Sequence, residues 1–389
     1  METIKTKDWN FLYIDFSPLV SRSVYLGGCG KALFGDENEM YARRPVNGGI
    51  CGNPFCGNEG FSFFCLTFAD MKVHVFNPEN DLALADGRPG FTAPASARQM
   101  RADLYWLPEW WADEGDKVWD GEEELLLQAG DEIVPWGWSP ALVHQLKKAG
   151  VGDEFLPTAE RMEALRSLSN RKTAVEAMAR LRADGVAGEW MCGESAVCAT
   201  MDEVRACTAQ WEHTMLKAPW SSSGKGLMLD SAPNMEAWAA RILQQQGTVV
   251  AERWLHKMVD FAMEFQCDGN GGVEYRGLSL FHTNANGAYT GNWLAPEYVK
   301  TEWLGQYVSL DILEEIKEWW TRYLGRFSYK GPVGIDMMLC REGICPCVEI
   351  NWRMTMGMVA VLLSEQGRDG KMLVHYVHER YVAEIEGFG

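Results

Sequence analysis

A chain of 389 residues with a formal net charge of −18 has room for about two or three domains, and its acid excess excludes a nucleic-acid backbone as partner. No run approaches the roughly 18 apolar residues of a spanning helix, and the first residues lack a basic stretch followed by an apolar core, so no membrane is expected and the cytoplasm is the expected location. Eleven cysteines, an odd number without a C-x-x-C pair, fit reduced thiols better than a disulfide framework.

Residues 1–70 are rich in Gly and Cys (Gly27-Gly28-Cys29-Gly30, Gly48-Gly49, Cys51, Cys56) and show no sustained helical period. They are expected to be a disordered or non-native segment, with the native start at Met71. The rival reading is a small zinc or interaction module on Cys29, Cys51, Cys56 and Cys65, whose spacings match no usual zinc pattern. From Met71 to about Leu165 the pattern is that of an α/β domain, opening on the strand Lys72–Phe76. The polar turn Asn77-Pro78-Glu79-Asn80-Asp81 follows at the strand's C-terminal end, where such folds place ligands. Arg88, Arg98 and Arg101 come next and are candidate carboxylate binders, although each is more simply a solvated arginine. Glu132–Trp136 and then Pro140–Ala149 read as strand and helix, with Gly150 as the stop.

A helical pattern over Thr173–Leu181 is opened by Ser169-Asn170-Arg171-Lys172, with Ser169 or Asn170 as N-cap. Residues 214–229, TMLKAPWSSSGKGLML, carry Lys217 on an apolar strand, then the small-residue loop Ser221–Gly226, then a second apolar stretch. Small residues let backbone N–H groups approach phosphate, and Lys225 adds charge. The loop is not a Walker A motif, because the glycine that should precede Gly224-Lys225 and the hydroxyl that should follow are missing. Thr248–Phe265 reads as a strand ending in Glu252-Arg253-Trp254-Leu255, then a short strand with Asp260 and Glu264. A polar stretch, His282–Gly287 and Thr290–Trp293, is more simply an Asn-Gly turn than a recognition element. The helix Ser309–Arg326 carries Ile312, Leu313, Ile316, Trp319, Trp320, Tyr323 and Leu324 at core-facing spacing.

Gly334–Arg353, GIDMMLCREGICPCVEINWR, reads as two strands around a turn at Glu342-Gly343. Folding there sets Asp336 opposite Glu349, and alternation puts Asn351 and Arg353 on the same face. Opposed carboxylates weaken a sheet, but two of them with a carboxamide make an oxygen nest for Mg²⁺. Cys345 and Cys347 read as packing residues on this hairpin.

Taken in order, the Lys-bearing strand with its Gly/Ser flap, the acidic strand end and the terminal D…E-x-N-x-R hairpin resemble the ATP-grasp superfamily over about residues 165–360. The resemblance implies an α/β, two-subdomain ATP-grasp fold behind a Rossmann-like pre-ATP-grasp domain. The expected division is 71–165 for the pre-domain, 166–250 for the lid with its flap, and 251–389 for the subdomain with the metal hairpin. It further implies that Lys172 or Arg171 and Lys217 contact phosphate, and that Ser222, Ser223, Gly224 and Gly226 close over the triphosphate. Glu252 and Leu255 would meet the adenine edge, and Asp260 the ribose hydroxyls. Asp336, Glu349 and Asn351 match the Mg²⁺ (or Mn²⁺) ligands, while Arg353 and Lys225 match the catalytic basic residues. Glu79–Asp81 are candidates for the acceptor site. The implied activity is ATP-dependent ligation of a small-molecule or peptide carboxylate to an amine or thiol. The alternatives are a small-molecule kinase and a nucleotide-binding regulator, and a homodimer is a candidate assembly because related enzymes are often dimers.

Overall fold

The computed structural model describes residues 70–221, 226–284 and 289–387. The expected N-terminal tail with its four cysteines lies outside the described residues, as do Ser222, Ser223, Gly224, Lys225 and residues 285–288. Strand β1 (Lys72–Val75) lies between two parallel neighbours, β2 (Lys117–Val118) and β3 (Glu132–Pro135). Helices Asn80–Asp86 and Ala95–Leu104 fill the crossover that a parallel pair requires. The helix Pro140–Lys148 begins where the Ser139 hydroxyl accepts the Leu142 N–H, and Pro140 occupies the first turn, where its missing N–H costs nothing. Asn77 ties the C-terminal ends of β1 and β3 together: its Nδ2 donates to Gly137 O at 2.8 Å and its Oδ1 accepts the Gly137 N–H at 3.3 Å.

A second sheet has four antiparallel strands in the order β4-β7-β5-β6 (β4 Ser195–Cys198, β5 Thr214–Lys217, β6 Leu227–Leu229, β7 Val249–Arg253). Helices Met201–Gln210 and Met235–Gln246 complete a small core around Val204, Leu216, Trp238 and Ala251. The strand–loop–strand expected around the Ser/Gly loop is β5 and β6.

The third sheet is antiparallel throughout and seven-stranded, in the order β12-β11-β8-β9-β10-β13-β14. Its members are β8 (Lys257–Asp268), β9 (Val273–Thr283), β10 (Tyr289–Leu294), β11 (Lys330–Cys340), β12 (Gly343–Asn351), β13 (Gly370–Val377) and β14 (Arg380–Glu386). The helix Leu310–Leu324 buries Leu313, Ile316, Trp319, Trp320 and Leu324, as its spacing predicts. The first and third sheets share a core in which Phe76, Leu104 and Trp136 meet Leu294, Met358 and Met372. The Met354 N–H also donates to Trp136 O at 2.8 Å.

The hairpin β11–β12 corrects one expectation. Its turn is Arg341–Glu342, with Cys340 opposite Gly343, and not Glu342-Gly343. Gly343 opens β12 at φ +135°, so near Trp190 that a Cβ there would stand 2.2 Å from the carbonyl oxygen. That carbonyl accepts the Ile344 N–H at 2.7 Å, so glycine serves a close backbone approach in the strand and not the turn. A bulge then lies between the pairs Met338–Cys345 and Asp336–Glu349. It contains Pro346, which has no N–H to give a ladder. Asp336 faces Glu349 as expected, by a different route.

Candidate active site

Cross-strand pairing puts a row of acids on one face of the third sheet. Glu264 on β8 is opposite Gly334, Asp336 is opposite Ala262, and Asp260 is opposite Met338, so all three carboxylates point the same way. Glu349 and Asn351 on β12 continue the row, opposite Asp336 and Gly334. Residues of the other parity (Phe261, Met263, Ile335, Met337, Ile350) are buried on the opposite face.

Arg353 and Arg171, from separate parts of the chain, meet the row. Asn351 Nδ2 donates to Asp336 Oδ2 at 3.1 Å, and Asn351 Oδ1 accepts from Arg353 at 2.9 Å. Arg353 also forms a two-pronged pair with Asp81, Nε to Oδ1 and a terminal nitrogen to Oδ2, both at 2.8 Å. Arg171 reaches Glu349 with a terminal nitrogen 3.1 Å from Oε2, while its other terminal nitrogen donates to Ala218 O at 2.9 Å and to the Ser221 hydroxyl. The Arg171 N–H donates to Pro219 O at 2.9 Å, so one buried arginine joins the loop after β5 to the acidic hairpin. Lys217 Nζ stands 2.6 Å from Glu252 Oε2 on the neighbouring strand β7. Between these groups lies a crevice lined by Asp81, Ser169, Trp220, Ser221, Glu349 and Asn351.

Burial first, and then the Glu349 charge, push the Asp336 carboxyl up to about 7, against the pull of Asn351 and Arg353. Glu264 is 1 % exposed and is pushed up to about 8, chiefly by burial and next by Asp336. Its Oε2 accepts from the Thr355 hydroxyl at 2.9 Å, and among the described residues its Oε1 has no hydrogen-bond partner. Two glycines make room for it: a Cβ on Gly357 would fall 2.0 Å from Oε1, and one on Gly334 2.7 Å from Oε2. Burial works against the Arg353 charge, but Asp81 more than offsets it and holds the guanidinium above its ordinary pKa.

The remaining expected residues are placed as follows. Asp260 is bound by Lys257 Nζ at 2.6 Å and the Thr283 hydroxyl at 2.7 Å, two positions along β8 from the residue opposite Asp336. Leu255 is buried in the link between β7 and β8. Gly226 ends the loop after β5, its carbonyl accepting the Ala218 N–H at 2.8 Å. Lys172 opens the helix Lys172–Ala183, its N–H bound by Asn170 Oδ1 at 2.9 Å. Of the two neighbours Arg171 and Lys172, it is Arg171 that joins the acidic hairpin. The three candidate carboxylate-binding arginines are occupied elsewhere: Arg101 pairs with Glu79 at 2.9 Å, Arg88 with Asp86, and Arg98 donates to Ala93 O. Sequence reasoning did not foresee the pairs Asp81–Arg353, Lys217–Glu252 and Arg171–Glu349, nor the orphaned oxygen of Glu264. A buried glutamate facing glycines on two other segments leaves no periodic signal.

No family model and no curated protein matches the sequence. Among solved structures, the chain is similar to N5-carboxyaminoimidazole synthetase from Staphylococcus aureus complexed with ADP, at 12 % identity and TM-score 0.45, over 79 % of this chain and 83 % of that one. It is similar to D-alanyl-alanine synthetase A from Vibrio cholerae at 16 % identity and TM-score 0.41, over 78 % and 96 %. It is also similar to the biotin carboxylase domain of the Hydrogenobacter thermophilus 2-oxoglutarate carboxylase with MgADP, ADP and bicarbonate, at 11 % identity and TM-score 0.44, over 79 % and 74 %. Among the described residues no helix is long and apolar enough to cross a membrane.

Proposed function

We propose that the chain is an ATP- and Mg²⁺-dependent ligase that activates a small-molecule or peptide carboxylate as an acyl phosphate and joins it to an amine or thiol. The observation that carries this reading is the opposed pair Asp336–Glu349 with Asn351, set on a packed sheet face beside Arg171. Their donors are all oxygen, which suits Mg²⁺ or Mn²⁺. Asp336 is held by burial and by Glu349 in a setting that disfavours its charge, a setting that a dication relieves. Among the described residues no group of three or more His, Cys, Asp or Glu gathers into a metal cage. Two carboxylates and a carboxamide leave positions for phosphate oxygens and water, which is how Mg²⁺ is usually held.

ATP supplies the phosphoryl group, and the chain supplies position and charge. Arg171 and Lys217 enter as the phosphate-binding cations, each already oriented by a carboxylate partner. We assign the start-of-helix role to Arg171 in preference to Lys172, because Arg171 alone of the two contacts both Glu349 and the loop after β5. Glu252 and Leu255 are assigned to the adenine edge, Asp260 to the ribose hydroxyls, and Lys225 with Ser222–Gly226 to cover over the triphosphate.

Calorimetric titration with ATP, with and without Mg²⁺, tests this reading on the intact chain and on Glu349→Gln. Binding that requires Mg²⁺ and weakens about tenfold or more in the variant is expected. Absence of binding in a folded protein would remove the reading. A stable phosphorylated product formed without an amine or thiol would replace the ligase by a kinase.

A further inference from the structure

Arg353 has little left to offer a ligand while Asp81 holds it. Two of its nitrogens are committed to the Asp81 carboxylate, one of these also serves Asn351, and the third donates to Met354 O. Asp81 lies in the first turn of the helix Asn80–Asp86, which follows the Asn77 that is fastened to Gly137 at the end of β3. It lines the same crevice as Glu349 and Asn351, and the Arg353 and Asp81 side chains are 18 % and 20 % exposed. A carboxylate gripping an arginine by both oxygens at a crevice wall makes the contact that an anionic ligand would make.

We infer that Asp81 is a tethered occupant of a carboxylate site on Arg353, and that the substrate exchanged into that site is a free amino acid. Its carboxylate goes to Arg353 and its ammonium to the released Asp81. This rests on the ligase reading and narrows it to a substrate class. The physical reason is the fate of Asp81. A simple acid taking its place would strand a half-buried carboxylate in the crevice that Glu349 also lines, and an uncompensated buried charge is costly. Among the described residues, Arg171, which reaches the lining residues Glu349 and Ser221, is already held by them and by the Ala218 carbonyl. A ligand that carries an ammonium next to its carboxylate replaces one ion pair by two and leaves no charge alone. The Asp81–Arg353 pair therefore discriminates between an amino acid and the same acid without its amino group.

The test is ATP-dependent ADP release by the full chain. The probes are the common amino acids, singly and in pairs, set against their desamino counterparts (propionate for alanine, glutarate for glutamate, hydrocinnamate for phenylalanine). At least one amino acid is expected to stimulate release, with kcat/KM about tenfold or more above its desamino partner, because a site built to pair a polar group rejects the analogue lacking it. In Asp81→Asn, KM for the amino acid should rise about tenfold, while KM for the desamino acid stays or falls as the tethered competitor is removed. Equal use of both kinds of acid by the wild-type chain would overturn the inference, as would release stimulated by no amino acid. Equal KM increases for both kinds in the variant would overturn it too, by giving Asp81 a purely structural role. The wild-type comparison stands whether or not the variant folds. Mg²⁺-dependent ATP binding measured on the same preparations separates the two levels. Where it is present and the amino-acid comparison fails, only this inference falls; where it is absent, the ligase reading falls and takes this inference with it.

Discussion

The two halves of one face of the seven-stranded sheet have opposite chemistry. Over β9 and β10 the helix Met356–Glu365 covers the face, and Leu294, Met358, Val359 and Met372 fill the space between. Over β8, β11 and β12 the same face carries Asp260, Asp336, Glu349 and Asn351 beside the crevice. Glu264 marks the border, bound to Thr355 at the helix start and cradled by Gly334 and Gly357. One half adds stability by burying apolar surface, and the other holds charges that the fold alone does not neutralise. Stability and function are therefore separable along a single sheet, and substitutions on either side of Glu264 should have opposite signatures.

The largest effect is expected in the apolar half. Met372 is fully buried, and Met372→Ala should cost about 3–4 kcal/mol in chemical unfolding while leaving the affinity for MgATP of the remaining folded protein unchanged. Asp336→Asn should do the reverse. Removing its charge should raise the melting temperature of metal-free protein at pH 8, where the carboxyl pushed up to about 7 is ionised. The same change should weaken Mg²⁺-dependent ATP binding about a hundredfold, or about 2.7 kcal/mol, by calorimetry. A variant that loses both stability and binding would show that the two halves are not separable.

At the border, Gly357→Ala would push a methyl group to 2.0 Å from Glu264 Oε1 and 2.8 Å from the Ser279 hydroxyl. A loss of about 2 kcal/mol is expected from overpacking, read as a lower denaturation midpoint. The smallest effect should come from Glu264→Gln, and it should depend on pH. The Glu264 pKa rises from its ordinary 4.5 to about 8 on folding, so between those values the folded chain holds a proton that the unfolded chain has released. Stability from this group is full below pH 4.5 and lost as pH rises towards 8. Glu264→Gln should therefore resemble wild type at pH 5 and be more stable at pH 8.5 by about 1 kcal/mol, after allowance for relaxation around the charge. Equal stabilities at both pH values would show that Glu264 ionises freely in the fold.

Much of this organisation is legible in the chain, though not evenly. The strand–loop–strand around Ser221–Gly226 and the helix Leu310–Leu324 follow from apolar period and small-residue punctuation, which are local properties. The opposition of Asp336 and Glu349 is also legible, although the local pattern points to a turn one residue later than the true one. A glycine ahead of the second strand looks like a turn glycine, whereas Gly343 is needed by the Trp190 carbonyl, which arrives from a distant segment. At the start of the helix Lys172–Ala183, two adjacent basic residues are equivalent in sequence. Only the approach of the loop after β5 and of β12 selects Arg171.

The α/β alternation, the acidic hairpin and the lysine-bearing strand are legible in the chain, because period, turn chemistry and the two-residue repeat of a strand act over a few neighbouring positions. The partner of each charge is not legible there. Asp81 and Arg353, Arg171 and Glu349, and Glu264 and Gly357 are brought together by the packing of separate segments. The energy of a charge depends on the burial and partners found there, which no local pattern encodes.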